Sequence, residues 1–344
     1  MQPTLFSKVI TRPATLLSLS LVPLLLGTTT ANALVITPEF DSSITSNANA
    51  ATIEGSINSA LTTLDGLYSN NINIAVNFTY NSASAGTLLS TSQYMGAVSY
   101  STYVADLQHD LSLNPNNSVL STAIANLSYG NDANGSKDVA VTLAQAEMLG
   151  IISSSTYNSY LPSININSTQ NFGFTQPVSS SSYDLVGGLE HELNEVLGGG
   201  GGGSTLNAVQ QGNAGLDGYV GALDLYRYSA THTASFTTSG SASSYFSING
   251  GATSIVAFNQ NSSGDYGDFA PACNNLGSGQ LVQNAFNCTG PSAAYTTSSP
   301  ESTMLQAIGW TSTASAIPEP ATIPLVVSGL LGLGAARRRQ ALHH

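Results

Sequence analysis

Residues 198–203 of this chain are six consecutive glycines, and they follow directly on a stretch with helical periodicity. A glycine run of that kind ends a helix, so the segment before it is bounded. Within it, Leu185, Leu189, Leu193 and Val196 fall within about 80° of one another on a helix of 3.6 residues per turn. That face is expected to pack on a core. Ser182 and Asp184, ahead of the first apolar residue, supply the matching start signal.

The opposite face of this helix carries the chemistry. His191 and Glu195 stand four residues apart and project together, with Gly187, Gly188 and Gly198 beside them. Those glycines are expected to leave room for a metal ion and a facing segment. Glu192 lies about 100° from His191, beside the pair. In the HExxH helix of zinc peptidases the first and fifth positions bind the metal and the glutamate polarises the bound water. Here the fifth position is Glu195, which makes the motif HExxE. Carboxylate oxygens ligate zinc at about 2.0–2.2 Å, so the exchange is chemically permitted. The added negative charge weakens the Lewis acid and loosens discrimination against other divalent ions. The competing reading is a surface helix with two solvated glutamates and a stray histidine. Against it, only 8% of the chain is charged, yet Glu190, His191, Glu192 and Glu195 crowd into one helix.

A zinc peptidase site needs three protein ligands and an open water position. The downstream candidates for the third are Asp217, Asp224, His232, Asp265 and Asp268. Asp224 is expected to supply it, because Leu223, Leu225 and Tyr226 would bury its carboxylate and a buried carboxylate needs a cation. Arg227 is the other cation available to it, and His232 is the alternative ligand. Asp217 precedes Gly218 and reads as a turn residue. Asp265 and Asp268 read as turn acids, too few to favour calcium. The glycine run has no following lysine and closes a helix instead of opening one. It therefore reads as a flexible active-site rim and not as a phosphate loop.

The two ends of the chain are read apart from the fold. Lys8 and Arg12 precede an apolar stretch over residues 16–26, and Thr30-Ala31-Asn32-Ala33 follows. This is the layout of a signal peptide over residues 1–33, too short for a permanent span. At the other end Pro318-Glu319-Pro320 leads into an apolar segment closed by Arg337-Arg338-Arg339. Residues 317–344 resemble the PEP-CTERM sorting tail. The resemblance implies transient membrane insertion, with the arginines on the cytoplasmic side, and removal of the tail by an exosortase. The expected route is export across a bacterial inner membrane, with signal peptidase and exosortase as partners. The expected destination is the cell envelope or extracellular matrix.

Between these ends, residues 34–316 form the expected mature domain, with an N-terminal lobe over about 34–203 and a C-terminal lobe over about 204–316. Lys137 and Arg227 are its only basic residues, and every acid but Glu319 lies inside it. So acidic a surface excludes nucleic acid as a partner. Cys273 and Cys288 are expected to pair as a disulfide in an exported chain. Ile53, Ile57, Ala60, Leu61, Leu64 and Leu67 recur at helical spacing, and Ile72, Ile74, Val76, Phe78 and Tyr80 alternate as in a half-buried strand. Further helices are expected near residues 100–111, 119–127 and 141–149, and a strand at Ile164 and Ile166. After residue 231 the chain turns Ser-, Gly-, Thr- and Asn-rich, with short strands expected over 245–248 and 255–258. The fold class expected is α+β, with an irregular, β-rich C-terminal part.

Several segments together resemble a family of PEP-CTERM-tailed, metzincin-like metalloproteases. They are Tyr183-Asp184 through His191-Glu192-Leu193-Asn194-Glu195-Val196-Leu197-Gly198, then Leu223-Asp224-Leu225-Tyr226-Arg227-Tyr228-Ser229, Ser244-Tyr245-Phe246-Ser247-Ile248-Asn249-Gly250-Gly251, Gly264-Asp265-Tyr266-Gly267-Asp268-Phe269 and Leu305-Gln306-Ala307-Ile308-Gly309-Trp310. The resemblance implies a zincin fold and a secreted endopeptidase that acts on protein or peptide substrates, with Zn2+ or another divalent metal and Glu192 as general base. The chain departs from the metzincin pattern HExxHxxGxxH: Gly198 matches its glycine, but Gly201 stands where the third histidine belongs. Met304, in a segment that reads as helix, does not form a recognisable Met-turn. The alternative function is a non-catalytic envelope or matrix protein on a degenerate zincin fold.

Overall fold

The computed structural model describes residues 33–314, apart from 134, 136, 213–217 and 272–279. Residues 1–32 of the expected signal peptide, the sorting residues Pro318, Glu319, Pro320, Arg337, Arg338 and Arg339, the candidate Asp217, and Cys273 of the expected disulfide lie outside the described residues.

The alternating run after residue 72 forms the strand Asn73–Asn81, with Ile74, Val76 and Phe78 fully buried on one face. It pairs in parallel with Val35–Phe40 on one side and Ser163–Asn167 on the other. Leu89–Ser92 then pairs antiparallel with Ser163–Asn167 and forms an edge of this four-stranded sheet. The helix Ala50–Leu67 buries all six apolar residues read from its periodicity. It packs against the helix Leu185–Val196, which carries His191, Glu192 and Glu195 and is called the site helix below.

The expected helix over 141–149 is corrected in its first part. Asp138–Thr142 is a strand, paired antiparallel with Met95–Val98 and parallel with Tyr219–Gly221, and the helix begins only at Leu143. Val139, Ala140 and Val141 are all buried. A strand covered on both faces shows an unbroken apolar run and no alternation, so its period cannot be told from that of a helix. Helices Tyr100–Leu113 and Ser118–Ala133 form as expected. After residue 231 the structure is largely irregular, with the short strands Tyr245–Phe246 and Val256–Ala257 and the helix Pro300–Ala307, which includes Met304 and Gln306.

The fold is thus mixed α and β. One apolar core extends from Leu34 to Trp310 and includes residues of both expected lobes. The C-terminal end returns to the N-terminal helix, with Thr313 N donating to Leu67 O at 2.9 Å. Trp310 is fully buried and its indole donates to Leu197 O at 2.8 Å, which fastens the C-terminal end of the site helix. Among the described residues no helix is long and apolar enough to cross a membrane.

Candidate metal centre

The site helix starts one residue after its cap. Asp184, and not Ser182, is the N-cap, and its carboxylate accepts from Gly187 N at 3.2 Å. The same side chain accepts from Gln176 Nε2 and Ser292 N, so it also ties the preceding loop and a distant segment to the helix start. Leu185, Leu189 and Leu193 are fully buried and Val196 nearly so. At about 1.5–3 kcal/mol for each such side chain, this face holds the helix in place. The polar face is buried as well, with His191 at 7% exposure and Glu192 and Glu195 at 8%. The reading as a solvated surface helix is therefore excluded.

Glycines make this second burial possible. A Cβ on Gly187 would lie 2.0 Å from Ser292 Oγ, and one on Gly188 would lie 2.7 Å from Leu89 Cδ1. Their place on the helix admits the facing strand and the segment at Ser292. Gly198 takes φ +95°, the left-handed conformation that ends helices. The glycine run is a packed 3-10 turn over Gly200–Gly203 and not an open rim, with Gly200, Gly202 and Gly203 buried. A Cβ on Gly267 would meet Gly200 O at 2.1 Å, so the loop through residues 265–268 touches the turn backbone to backbone.

That contact brings a third candidate ligand, Asp268, to the site helix. His191, Glu195 and Asp268 each offer an atom to a cluster whose members all lie within 4.8 Å of one another. His191 Nε2 is 3.4 Å from Asp268 Oδ2 and 3.6 Å from Glu195 Oε1. Ligands about 2.0–2.2 Å from a tetrahedral ion stand roughly 3.3–3.6 Å apart, so these separations suit a zinc-sized ion. The other edges of His191 and Asp268 are already occupied. His191 Nδ1 donates to Val282 O at 2.9 Å, and Asp268 Oδ1 accepts from Gly201 N and Gln283 Nε2, both at 2.9 Å.

Electrostatics also favour a cation here. Burial pushes the Glu195 carboxyl well above its usual range, and Glu192 and Asp268 push in the same direction against the bond to His191. Burial followed by Asp268 raises Asp265 to about 6. Burial alone would lower His191, yet Asp268 and Glu195 hold it well above its ordinary value. Carboxylates crowded away from water in this way are what a divalent ion relieves. Glu192 stands next to the cluster. Its Oε2 accepts from Thr91 Oγ1 at 2.6 Å, so the edge strand Leu89–Ser92 fixes its direction.

Asp224 and His232, the residues expected to supply the third ligand, do not lie in this cluster. Asp224 is fully buried as expected, but in a different role. Its Oδ1 accepts from Ser204 Oγ at 2.7 Å, and its Oδ2 accepts from Thr205 N at 2.9 Å and Gly221 N at 3.2 Å. Those donors satisfy the carboxylate and lock the exit of the glycine turn to the strand Tyr219–Gly221. Among the described residues no ion pair joins Asp224 to Arg227. The guanidinium instead donates to Tyr266 O and Asn259 O and lies 4.6 Å over the Phe258 ring. Arg227 thereby holds the loop that presents Asp268. His232 is exposed at φ +58°, stacked on Tyr129 with ring centroids 4.1 Å apart, and does not belong to the cluster. Cys288 N donates to Gln280 Oε1 at 2.7 Å in the segment that returns to the site helix. The usable sequence signal for Asp268 was the pair of acids in Gly264-Asp265-Tyr266-Gly267-Asp268, in a chain otherwise poor in charge.

Gly201 gives a direct test of this geometry. A Cβ there would lie 2.6 Å from Glu195 Oε1 and 2.8 Å from Asp265 Cγ. The Glu195 carboxylate is the movable end of a longer side chain, whereas Asp265 is met at its Cβ as well, also at 2.8 Å, so Gly201→Ala is expected to displace the Glu195 carboxylate. Zinc affinity should fall by about tenfold, read by competition with a chromophoric chelator. Unchanged affinity would remove Glu195 from the ligand set.

Comparison of the chain with protein-family models, with curated proteins and with solved structures gave no match.

Proposed function

We propose that the protein is an exported, metal-dependent endopeptidase with a zincin-like, metzincin-related fold. His191, Glu195 and Asp268 would hold Zn2+ or a similar divalent ion. The observation that carries this reading is the convergence of the three ligand atoms, 3.4 and 3.6 Å apart about His191 Nε2, beside a separately anchored glutamate. An ion bound there supplies Lewis acidity to a water molecule and to the scissile carbonyl. Glu192, aimed by Thr91, accepts the proton of the attacking water and returns it to the leaving amine. Gln93 Nε2 donates to Glu195 O at 3.0 Å and keeps this end of the helix against the residues that follow the edge strand.

Peptide is the substrate class that fits. The sheet ends on Leu89–Ser92 beside Glu192, and an extended chain adds to such an edge through main-chain hydrogen bonds. The basic-apolar start and the Pro-Glu-Pro tail support export with signal peptidase and exosortase as processing partners. They also support transient membrane contact through the tail and a final place in the cell envelope or matrix. Metal analysis of the purified exported protein tests the reading. About one divalent ion per chain is expected, and stripping it with a chelator should abolish casein cleavage. A protein free of metal and inert toward casein would instead be the non-catalytic envelope or matrix protein.

A further inference from the structure

Two adjacent residues far from the site helix in sequence govern two of the three ligands. Val282 O accepts from His191 Nδ1 at 2.9 Å. A carbonyl only accepts, so Nδ1 carries the proton and Nε2 faces Asp268 and Glu195. The next residue, Gln283, is fully buried, and its Nε2 donates to Asp268 Oδ1 at 2.9 Å. Its Oε1 accepts from Asn194 Nδ2 at 2.6 Å, Asn194 Oδ1 accepts from Tyr295 OH at 2.9 Å, and Tyr295 OH meets Tyr68 OH at 3.0 Å. The Gln283 backbone is held on both sides, its N donating to Glu301 Oε1 at 3.2 Å and its O accepting from Phe269 N at 2.8 Å. The glycine turn makes room for this chain of amides. A Cβ on Gly199 would lie 2.4 Å from Asn194 Nδ2, and one on Gly200 would lie 2.0 Å from Gln283 Nε2.

We infer that Gln283 is a positioning residue of the metal centre. Together with Gly201 N it occupies Asp268 Oδ1, so that Oδ2 is presented to the ion, opposite an imidazole that the neighbouring carbonyl of Val282 has already oriented. The inference rests on the metal reading above and adds to it a partner that carries no charge and touches no ion. Outer partners of this kind set ligand direction, and their loss commonly costs 10–100-fold in metal affinity.

The test uses the exported protein with Zn2+ and Co2+ as probes. Gln283→Met, close in volume but without the amide, is expected to weaken both ions by about 10–100-fold. It should also change the visible absorption of the Co2+ form, because an Asp268 carboxylate held at Oδ1 by Gly201 N alone can turn and alter the coordination. Gln306→Leu is the control for stability alone, since Gln306 Nε2 bonds only within its own helix, to Ser302. It should lower the melting temperature of the metal-free protein and leave affinity and spectrum unchanged. If Gln283→Met does not fold, Asn194→Ala carries the test, with a smaller loss of affinity expected in the same direction. Wild-type affinity and spectrum in a folded Gln283→Met or Asn194→Ala protein would overturn the positioning role alone. The same holds if Gln306→Leu weakens the metal equally. A wild-type protein that binds neither ion overturns the metal reading and this inference together.

Discussion

Glu192→Gln is expected to lower the rate of casein cleavage by about 10²–10⁴-fold while bound metal and folding stay as in the wild type. The amide is nearly isosteric and its oxygen still accepts the 2.6 Å bond from Thr91 Oγ1, so the edge strand and the helix remain joined. Only the capacity to take a proton is removed. Glu192 belongs to none of the ligand pairs around His191, so metal content should not change. The measurement is cleavage of casein, or of a fluorogenic peptide, alongside metal per chain and the far-ultraviolet circular dichroism. A variant that cleaves as fast as the wild type would show that Glu192 is not the base.

The second large effect separates two buried aspartates that look alike in sequence. Asp268→Ala should reduce bound metal to well below one ion per chain, and Glu195→Ala should do the same, because each removes one of the three proposed ligands. Asp224→Ala should keep its metal whenever it folds, and its loss should appear as stability. The carboxylate receives Ser204 Oγ, Thr205 N and Gly221 N in a fully buried place, and each charge-assisted bond of this kind contributes about 1.5–3 kcal/mol. Metal content against urea midpoint across these variants therefore distinguishes a ligand from a strut. If Asp224→Ala lost its metal while folded and Asp268→Ala retained it, the assignment would be reversed.

Much of this arrangement was legible in the chain because it depends on neighbours within a few residues. The i, i+4 spacing of His191 and Glu195, the apolar stripe through Leu189 and Leu193, and the glycine stop at Gly198 follow from the pitch of one helix. The alternation of Ile74, Val76 and Phe78 likewise announces a strand with one buried face. Where the local pattern was ambiguous it misled. Val139, Ala140 and Val141 form an unbroken apolar run, and the partners that make it a strand lie at Met95–Val98 and Tyr219–Gly221.

The third member of the cluster lies beyond the reach of any local pattern. Asp224 and Asp268 both sit among apolar neighbours, and burial alone asks each for a compensating partner. Their fates divide on contacts made across the fold. Ser204, Thr205 and Gly221 close around Asp224, whereas the bare backbones of Gly200 and Gly267 let Asp268 slide beneath the site helix to within 3.4 Å of His191. The sequence by itself determined a metal-competent helix and its glycine stop, because covalent spacing and helical pitch set where side chains project. Only the tertiary structure decided which acid completes the cluster, which nitrogen of His191 faces it, and that the polar face is buried. Those outcomes depend on close approach between segments about 70 to 100 residues apart, which packing selects and spacing along the chain does not encode.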